Sequence, residues 1–326
     1  MTQRVLLLAT KDTIAYQPGR SAVATGADLL RTIPAGTHAD VVVEDVTAEP
    51  SWDISPSSML NLARRARTAI LDDGFDGVVI THGTDTLEDT AYLTDLLAGP
   101  ATARGGIVLT GATRFLDDLS SDGPRNLASS IAAAADPALR HVGVVACLND
   151  DLHAARWVTK VDATSVAAFS SYPFPPVGRV VDGRVETLGA PPPRPPEAPG
   201  EPESEVALIK TYPGIDPALL TTVVDAGARG VVLEGTGAAN VPVDLFATIG
   251  DLTQWDIPVV IASRSRTRDV ALDDPRPGTG LAAALGAIGA HGLAPTKARV
   301  ALMVALGGDG VRTARVDAVR QWFSQL

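Results

Sequence analysis

Gly77-Val78-Val79-Ile80-Thr81-His82-Gly83-Thr84-Asp85-Thr86-Leu87-Glu88-Asp89-Thr90 is a short apolar run that breaks abruptly into hydroxyls and carboxylates. A run of unbroken apolar residues of this length fits a strand buried on both faces, as in a parallel sheet covered by helices. The turn after such a strand lies at the carboxyl edge of the sheet, where α/β proteins bind their ligands. A second strand, Val5-Leu6-Leu7-Leu8-Ala9, ends in the same style at Thr10-Lys11-Asp12-Thr13-Ile14-Ala15. Two threonine-bearing turns in one domain point to hydroxyl-based nucleophilic catalysis.

Working outward, apolar runs alternate with helical patterns. Strands are expected at 5–10, 39–46, 77–82, 106–111 and 142–148, with helices near 56–72, 88–98 and 124–135. In the first helix Met59, Leu62, Ala66 and Ala69 share a face; Ser55 or Ser57 could cap its start and Gly74 could end it. Strands alternating with helices predict a doubly wound, mainly parallel sheet. The proline-dense run 189–205 forbids a helix and reads as a stiff linker. Beyond it the alternation resumes, with strands expected at 206–212, 230–235 and 258–263 and helices at 216–227, 243–254, 278–290, 295–307 and 312–325. The expected fold is therefore α/β with two domains: a larger N-terminal domain over 1–188, the linker over 189–205 and a smaller C-terminal α/β domain over 206–326.

A chain of 326 residues can bury a large core, and the balance of 45% apolar to 4% aromatic residues suits tight helix–sheet packing. The net charge of −11 argues against a nucleic-acid partner. The single cysteine, Cys147, sits inside an apolar strand and reads as a buried structural thiol. Met1-Thr2-Gln3-Arg4 leads straight into a short strand, so neither a signal peptide nor a membrane span is expected, and the expected location is the cytoplasm. His38, His82, His141, His153 and His291 are scattered without ligand spacing, so no metal or other cofactor is expected; His82 should pack beneath the site. Gly235-Thr236-Gly237 lacks the full dinucleotide fingerprint.

Amide hydrolysis needs a nucleophile, a base and donors for an oxyanion. Thr84 can supply the hydroxyl, Asp85 can bind a cation or a base, and backbone N–H groups near Gly83 can face an anion. The competing reading of the same residues is a Thr/Asp helix cap followed by an acidic first turn. The two threonine turns together shift that balance, because the chain resembles the bacterial L-asparaginase/glutaminase family of threonine amidohydrolases. That family carries Thr-Gly-Gly-Thr-Ile-Ala after its first strand and Gly-Thr-Asp-Thr-hydrophobe-Glu after a later one. The likeness continues in order through Thr110-Gly111-Ala112-Thr113-Arg114, Ser121-Asp122-Gly123-Pro124-Arg125-Asn126-Leu127, Asn149-Asp150, Ala155-Arg156-Trp157-Val158-Thr159-Lys160, Tyr212-Pro213-Gly214, Gly235-Thr236-Gly237-Ala238-Ala239-Asn240-Val241-Pro242 and Pro295-Thr296-Lys297-Ala298-Arg299.

The resemblance implies hydrolysis of L-asparagine to L-aspartate and ammonia, and a role for each matching position. Thr13 matches the nucleophilic threonine. Thr84, Asp85 and Lys160 match a second catalytic group in which the lysine takes a proton from the threonine with the aspartate's help. Asp85 also holds the substrate amino group, and Ser51, in Pro50-Ser51-Trp52-Asp53, matches a serine that holds the α-carboxylate. Ala112 matches a residue whose carbonyl contacts the side-chain amide. Asn240 matches an asparagine that reaches a neighbouring subunit's site, which implies a homodimer or homotetramer.

Three departures gather at the site. Lys11-Asp12 stands where the family has two glycines. These charges could pair with neighbours and leave the turn intact, which the kept Thr13-Ile14-Ala15 favours, or enter the pocket and change the substrate. The family's mobile-loop tyrosine has no counterpart in 17–26, and Tyr16 is a doubtful substitute that could instead pack against the loop. Trp52 stands where glutamine is common. No counterpart of the family's intersubunit glutamate aligns within 271–275. Two other functions therefore compete: an amidohydrolase for a different small amide, and a catalytically silent amino-acid-binding protein.

Overall fold

The computed structural model describes residues 2–19, 23–34, 39–266, 272, 281–308 and 315–326, which form two compact units, Met1–Pro193 and Arg194–Leu326. The first unit contains β1 (Gln3–Ala9), α1 (Gly26–Leu30), β2 (Ala39–Asp45), α2 (Pro56–Leu71), β3 (Gly77–Thr81), α3 (Leu87–Ala98), α4 (Ala101–Arg104), β4 (Gly106–Thr110), α5 (Gly123–Ala135), β5 (Val144–Leu148), β6 (Asp151–Ala154), β7 (Thr159–Lys160), β8 (Phe169–Ser170), β9 (Gly178–Val181) and β10 (Arg184–Thr187). Its eight-stranded sheet runs β10-β9-β6-β5-β4-β3-β1-β2. The five strands from β2 to β5 pair in parallel, and β6, β9 and β10 extend the far edge antiparallel. A separate ribbon pairs β7 with β8.

Successive side chains of β1 enter different cores, as a strand buried on both faces requires. Leu6 and Leu8 pack with Leu62 and Ala66 of α2 and Leu87 and Ala91 of α3. Val5 and Leu7 pack with Leu29 of α1 and Leu127 and Ile131 of α5. Helices thus cover both faces. The chain leaves β1 for β2 on one side and returns to β3 on the other, so the winding reverses between β1 and β3. The crevice outside the carboxyl ends of these two strands is the switch point at which this fold class binds ligands.

The local chemistry explains the elements. Ser55 caps α2 by accepting the Ser58 N–H at 3.2 Å, Pro56 supplies the first turn, and Met59, Leu62, Ala66 and Ala69 are all buried on one face. The helix ends at Leu71 with Asp72 as its cap, two residues before Gly74 at φ 71°. Cys147 is fully buried in β5, and that burial pushes its thiol up to about 12.

The second unit contains β11 (Val206–Lys210), α6 (Ala218–Asp225), β12 (Gly230–Gly235), α7 (Phe246–Gln254), β13 (Val259–Ser263), α8 (Leu281–Ala284), β14 (Ile288–Gly289), α9 (Pro295–Ala305) and α10 (Arg315–Phe323). Its sheet, β11-β12-β13-β14, is parallel throughout. In α9, Lys297 is wholly buried, and Arg299 Nε donates to the Val206 carbonyl at 2.8 Å.

The structure corrects several expected elements. The helix expected over 278–290 is only Leu281–Ala284 among the described residues, because Gly286 turns the chain at φ 95° and Ile288 joins the sheet beside Val260. Residues 278–280 and 312–314, His38 and all of 271–275 except Leu272 lie outside the described residues. The strand expected from 142 begins at Val144, since His141 and Gly143 have φ of 69° and 97°. The short antiparallel strands β6, β9 and β10 carry no long apolar run and were not expected. Among the described residues no helix is long and apolar enough to cross a membrane.

Candidate active site

Threonines tie the carboxyl ends of β1 and β3 together. The Thr10 N–H donates to Thr81 Oγ1 at 2.9 Å, Thr81 Oγ1 donates back to the Thr10 carbonyl at 3.2 Å, and Thr10 Oγ1 donates to the Thr81 carbonyl. Both hydroxyls are thus spent on joining the strands. The turns beyond them, 11–15 and 82–86, emerge side by side.

In the second turn Lys160 Nζ donates to Thr84 Oγ1 at 2.8 Å and to Asp85 Oδ1 at 2.6 Å. The lysine side chain is 17% exposed and the aspartate 51%, so the pair stands at the rim of the site, with Thr84 sunk beneath it. Glu88, on the first turn of α3, accepts the Lys160 backbone N–H and fixes the lysine's place in β7. Thr86 is the residue preceding α3, yet its hydroxyl makes no cap; it donates to the Ser51 carbonyl at 2.6 Å. Neither hydroxyl of this turn caps the helix, so the capping reading of Thr84 and Thr86 does not describe them.

In the first turn Asp12 Oδ1 accepts the Thr13 N–H at 2.7 Å and lies 3.3 Å from Thr13 Oγ1, capping the single 3-10 turn Thr13–Ala15. Asp12 Oδ2 accepts the Ser51 N–H at 2.9 Å. Gly83 faces both: a Cβ there would collide with Asp12 Oδ2 and Ser51 Oγ. Asp12 and Thr13 are half-buried, and Lys11 is exposed. Thr13, Ser51 and Gly83 thus surround one carboxylate, and Gly83 is bonded directly to Thr84.

His82 lies fully buried beneath this assembly. One ring nitrogen, Nδ1, meets the Gly83 carbonyl at 2.8 Å, which makes it the donor, and Nε2 is 2.9 Å from Thr90 Oγ1. Burial lowers its pKa, against the Gly83 hydrogen bond and the nearby Asp12 charge, which favour the proton. The unfolded chain, with an ordinary histidine pKa near 6.5, therefore takes up the proton first as pH falls. His82 contributes stability above that value and loses it below, by up to about 1.4 kcal/mol between pH 7.5 and 5.5. Urea unfolding at the two pH values should show this fall, and His82→Gln should shrink it; an unchanged difference in the variant would count against a neutral His82.

The turn after β4 is braced from α5. Asp122 accepts the N–H groups of Thr113 and Arg114, and Asn126 Nδ2 donates to the Gly111 carbonyl at 2.9 Å while its Oδ1 accepts the Asn149 N–H at 2.9 Å. Buried Ala112 sits between these anchors. Trp52 is 69% exposed. Tyr16 packs its ring against Phe115, with centroids 5.4 Å apart. Asn240 belongs to the second unit, where it is exposed in a turn closed by paired backbone bonds with Thr236. Among the described residues no cluster of His, Cys, Asp or Glu converges as for a metal ion. Thr86 and Glu88 lie within the quoted motif but drew no role from sequence; their partners, Ser51 and Lys160, are 35 and 72 residues distant.

Residues 4–193 match the family model described as Asparaginase, N-terminal, and residues 205–323 match the one described as Glutaminase/Asparaginase C-terminal domain. The chain is 32% identical over 297 residues to L-asparaginase 2 of Escherichia coli (strain K12), covering 88% of this chain and 80% of that one. It is 32% identical over 327 residues to a "Probable L-asparaginase" of Deinococcus radiodurans, covering 99% and 97%. Among solved structures, a "Probable Cytoplasmic L-asparaginase" from Campylobacter jejuni superposes with a TM-score of 0.83 at 29% identity, covering 99% of this chain and all of that one.

Proposed function

This chain belongs to the asparaginase family, and from that premise we propose that its first unit hydrolyses L-asparagine to L-aspartate and ammonia by threonine-based nucleophilic catalysis. The observation that carries the reading is Lys160 Nζ held 2.8 Å from Thr84 Oγ1 and 2.6 Å from Asp85 Oδ1, at the switch point of the sheet.

In this reading the Thr13 oxygen attacks the carbonyl carbon of the side-chain amide. The Thr13 proton passes to the leaving nitrogen, the C–N bond breaks and ammonia departs, leaving an ester on Thr13. Water then attacks that ester and restores the threonine hydroxyl as the acid leaves. The Thr84–Lys160–Asp85 group supplies the proton relay: in its amine form the lysine is a base aimed at the Thr84 hydroxyl, held in place by Asp85. Ser51, Trp52, Asp85 and Ala112 line the substrate's place, with Asp85 taking the substrate amino group. Backbone N–H groups of the two turns face the developing oxyanion. Among nearby modulators, Asp12 touches Thr13 directly, while Lys11 and Tyr16 stand further out.

The test is ammonia release from L-asparagine by the purified protein and by Thr13→Ala. Release by the wild type that falls at least about 10³-fold in the variant supports the assignment. A folded wild type that releases no ammonia from any small amide would leave only a binding role. We also place the protein in the cytoplasm and as an assembly of identical chains with Asn240 at a neighbour's site. The similarity to the Campylobacter jejuni protein, described as a probable cytoplasmic L-asparaginase, supports the first. The second rests on the Asn240 match and is read by light scattering.

A further inference from the structure

We propose that Thr86 and Glu88, on either side of Leu87 at the start of α3, are positioning residues with separate tasks: Thr86 sets the place of Ser51 and so governs substrate binding, and Glu88 sets the place of Lys160 and so governs the chemical step. This rests on the amidohydrolase reading and divides the work of its site.

Three observations carry it. First, both side chains reach past their local partners to distant ones. A threonine just before a helix ordinarily accepts an N–H of the first turn. Thr86 makes no such cap and donates to the Ser51 carbonyl at 2.6 Å, 35 residues away. An acid in the first turn is already favoured by the helix dipole. Glu88, in that turn, also accepts the Lys160 N–H, 72 residues away. A local preference given up for a long-range contact is expected at functional sites.

Second, the base from which both reach is fixed. Leu87 is fully buried and shares a core with Leu6, Leu8 and Ile80 of β1 and β3, the strands that carry the two threonine turns. Thr86 and Glu88 are half-buried. Hydrogen bonds from a rigid helix start hold their partners more precisely than bonds from a loop.

Third, each contact falls on the backbone of a residue whose side chain the reaction uses. Ser51 Oγ is buried and has no hydrogen-bond partner, which leaves it open to a substrate oxygen. Lys160 Nζ lies 2.8 Å from Thr84 Oγ1. Moving either backbone moves the side chain with it, and a misplacement of about 1 Å can cost about a hundredfold in rate. Other ties keep both segments folded when these contacts are removed. Asp12 Oδ2 accepts the Ser51 N–H at 2.9 Å, and β7 pairs with β8 through Lys160 and Phe169.

The experiment compares Thr86→Val, Thr86→Ser, Glu88→Ala and Glu88→Gln with the wild type. It reads calorimetric binding of L-aspartate and steady-state ammonia release from L-asparagine, with circular dichroism and melting curves confirming that each variant folds. Thr86→Val is expected to weaken L-aspartate binding and raise KM by at least about tenfold, with kcat within about threefold of wild type. Thr86→Ser keeps the hydroxyl and should restore both. Glu88→Ala is expected to lower kcat by at least about tenfold, with L-aspartate binding within about threefold of wild type. Glu88→Gln keeps an oxygen that accepts an N–H and should recover most of the loss. Defects in the same parameter at both positions overturn the proposal, because loosening a shared scaffold moves them together. So does the absence of a defect in Thr86→Val or Glu88→Ala, or a conservative variant that restores nothing.

Acetylation of Lys160 by acetic anhydride, followed by mass spectrometry, reads the lysine's place without turnover. It should be at least about threefold faster in Glu88→Ala than in wild type and unchanged in Thr86→Val. If the wild type releases no ammonia from any small amide, the hydrolase reading fails and the positioning proposal is decided by binding and acetylation. A binding shift confined to Thr86→Val and an acetylation shift confined to Glu88→Ala support it, and any other pattern overturns it.

Discussion

Lys160→Met is expected to lower kcat for ammonia release from L-asparagine by about 10³-fold while leaving the melting temperature within a few degrees of wild type. The two halves of this expectation come from one geometry. The Lys160 side chain is 17% exposed and Asp85 51%, and an ion pair that reaches solvent in this way contributes little to folding. Methionine keeps the length of the stem, and the backbone bond from the Lys160 N–H to Glu88 does not depend on the side chain. The chemistry, by contrast, loses the only basic group that touches Thr84 Oγ1 among the described residues. Lys160→Arg refines the test, because a guanidinium keeps the charge but does not give up its proton. A relay through neutral lysine predicts that arginine fails almost as badly as methionine. A kcat in Lys160→Met within tenfold of wild type would remove Lys160 from the mechanism.

Gly111→Ala is expected to cost about 2–3 kcal/mol of folding stability and to lower kcat roughly tenfold as well. A Cβ at this position would collide with the His82 carbonyl and lie 3.2 Å from Thr84 Cγ2. The obstacle is backbone, so no side-chain rotation relieves it. His82 is held on the same side by its N–H bond to the Thr110 carbonyl at 2.7 Å and by both ring nitrogens. Gly111 is itself held by Asn126 through its carbonyl. The added methyl therefore pushes the His82-Gly83-Thr84 turn away from β4 and displaces Thr84 from Lys160. Urea denaturation and steady-state kinetics read the two effects. A midpoint and a kcat both equal to wild type would mean that the turn adjusts without cost.

Much of the fold was legible in the sequence because it rests on local periodicity. The runs at Val5–Ala9, Gly77–Thr81 and Gly106–Thr110 are too short for helices and too apolar for a solvated face, and each became a buried parallel strand. The cap at Ser55 and the buried face of α2 follow equally from neighbours within one or two helical turns. The antiparallel strands β6, β9 and β10 escaped that logic. Each is four residues of mixed polarity, and only their ladder partners on the sheet edge make them strands. The helix expected over 278–290 failed for a related reason: its alanines suit a helix, but Gly286 and the place beside β13 decide the backbone.

The candidate site divides in the same way. Sequence alone determined which residues are present, that they fall on strand-to-helix turns, and that two of those turns carry threonines, since strand, turn and helix signals are short-range. It could not determine which turns meet. The reversal of the winding between β1 and β3 brings residues 10–15 beside 81–86, and the β7–β8 ribbon brings Lys160 back to Thr84 across 76 residues. Nor could it say whether Asp12 points to solvent or to the nucleophile. That choice belongs to the Ser51 N–H and to the missing side chain of Gly83, neither of which is near Asp12 in the chain. A carboxylate takes its direction from the donors around it, and only the folded structure assembles those donors.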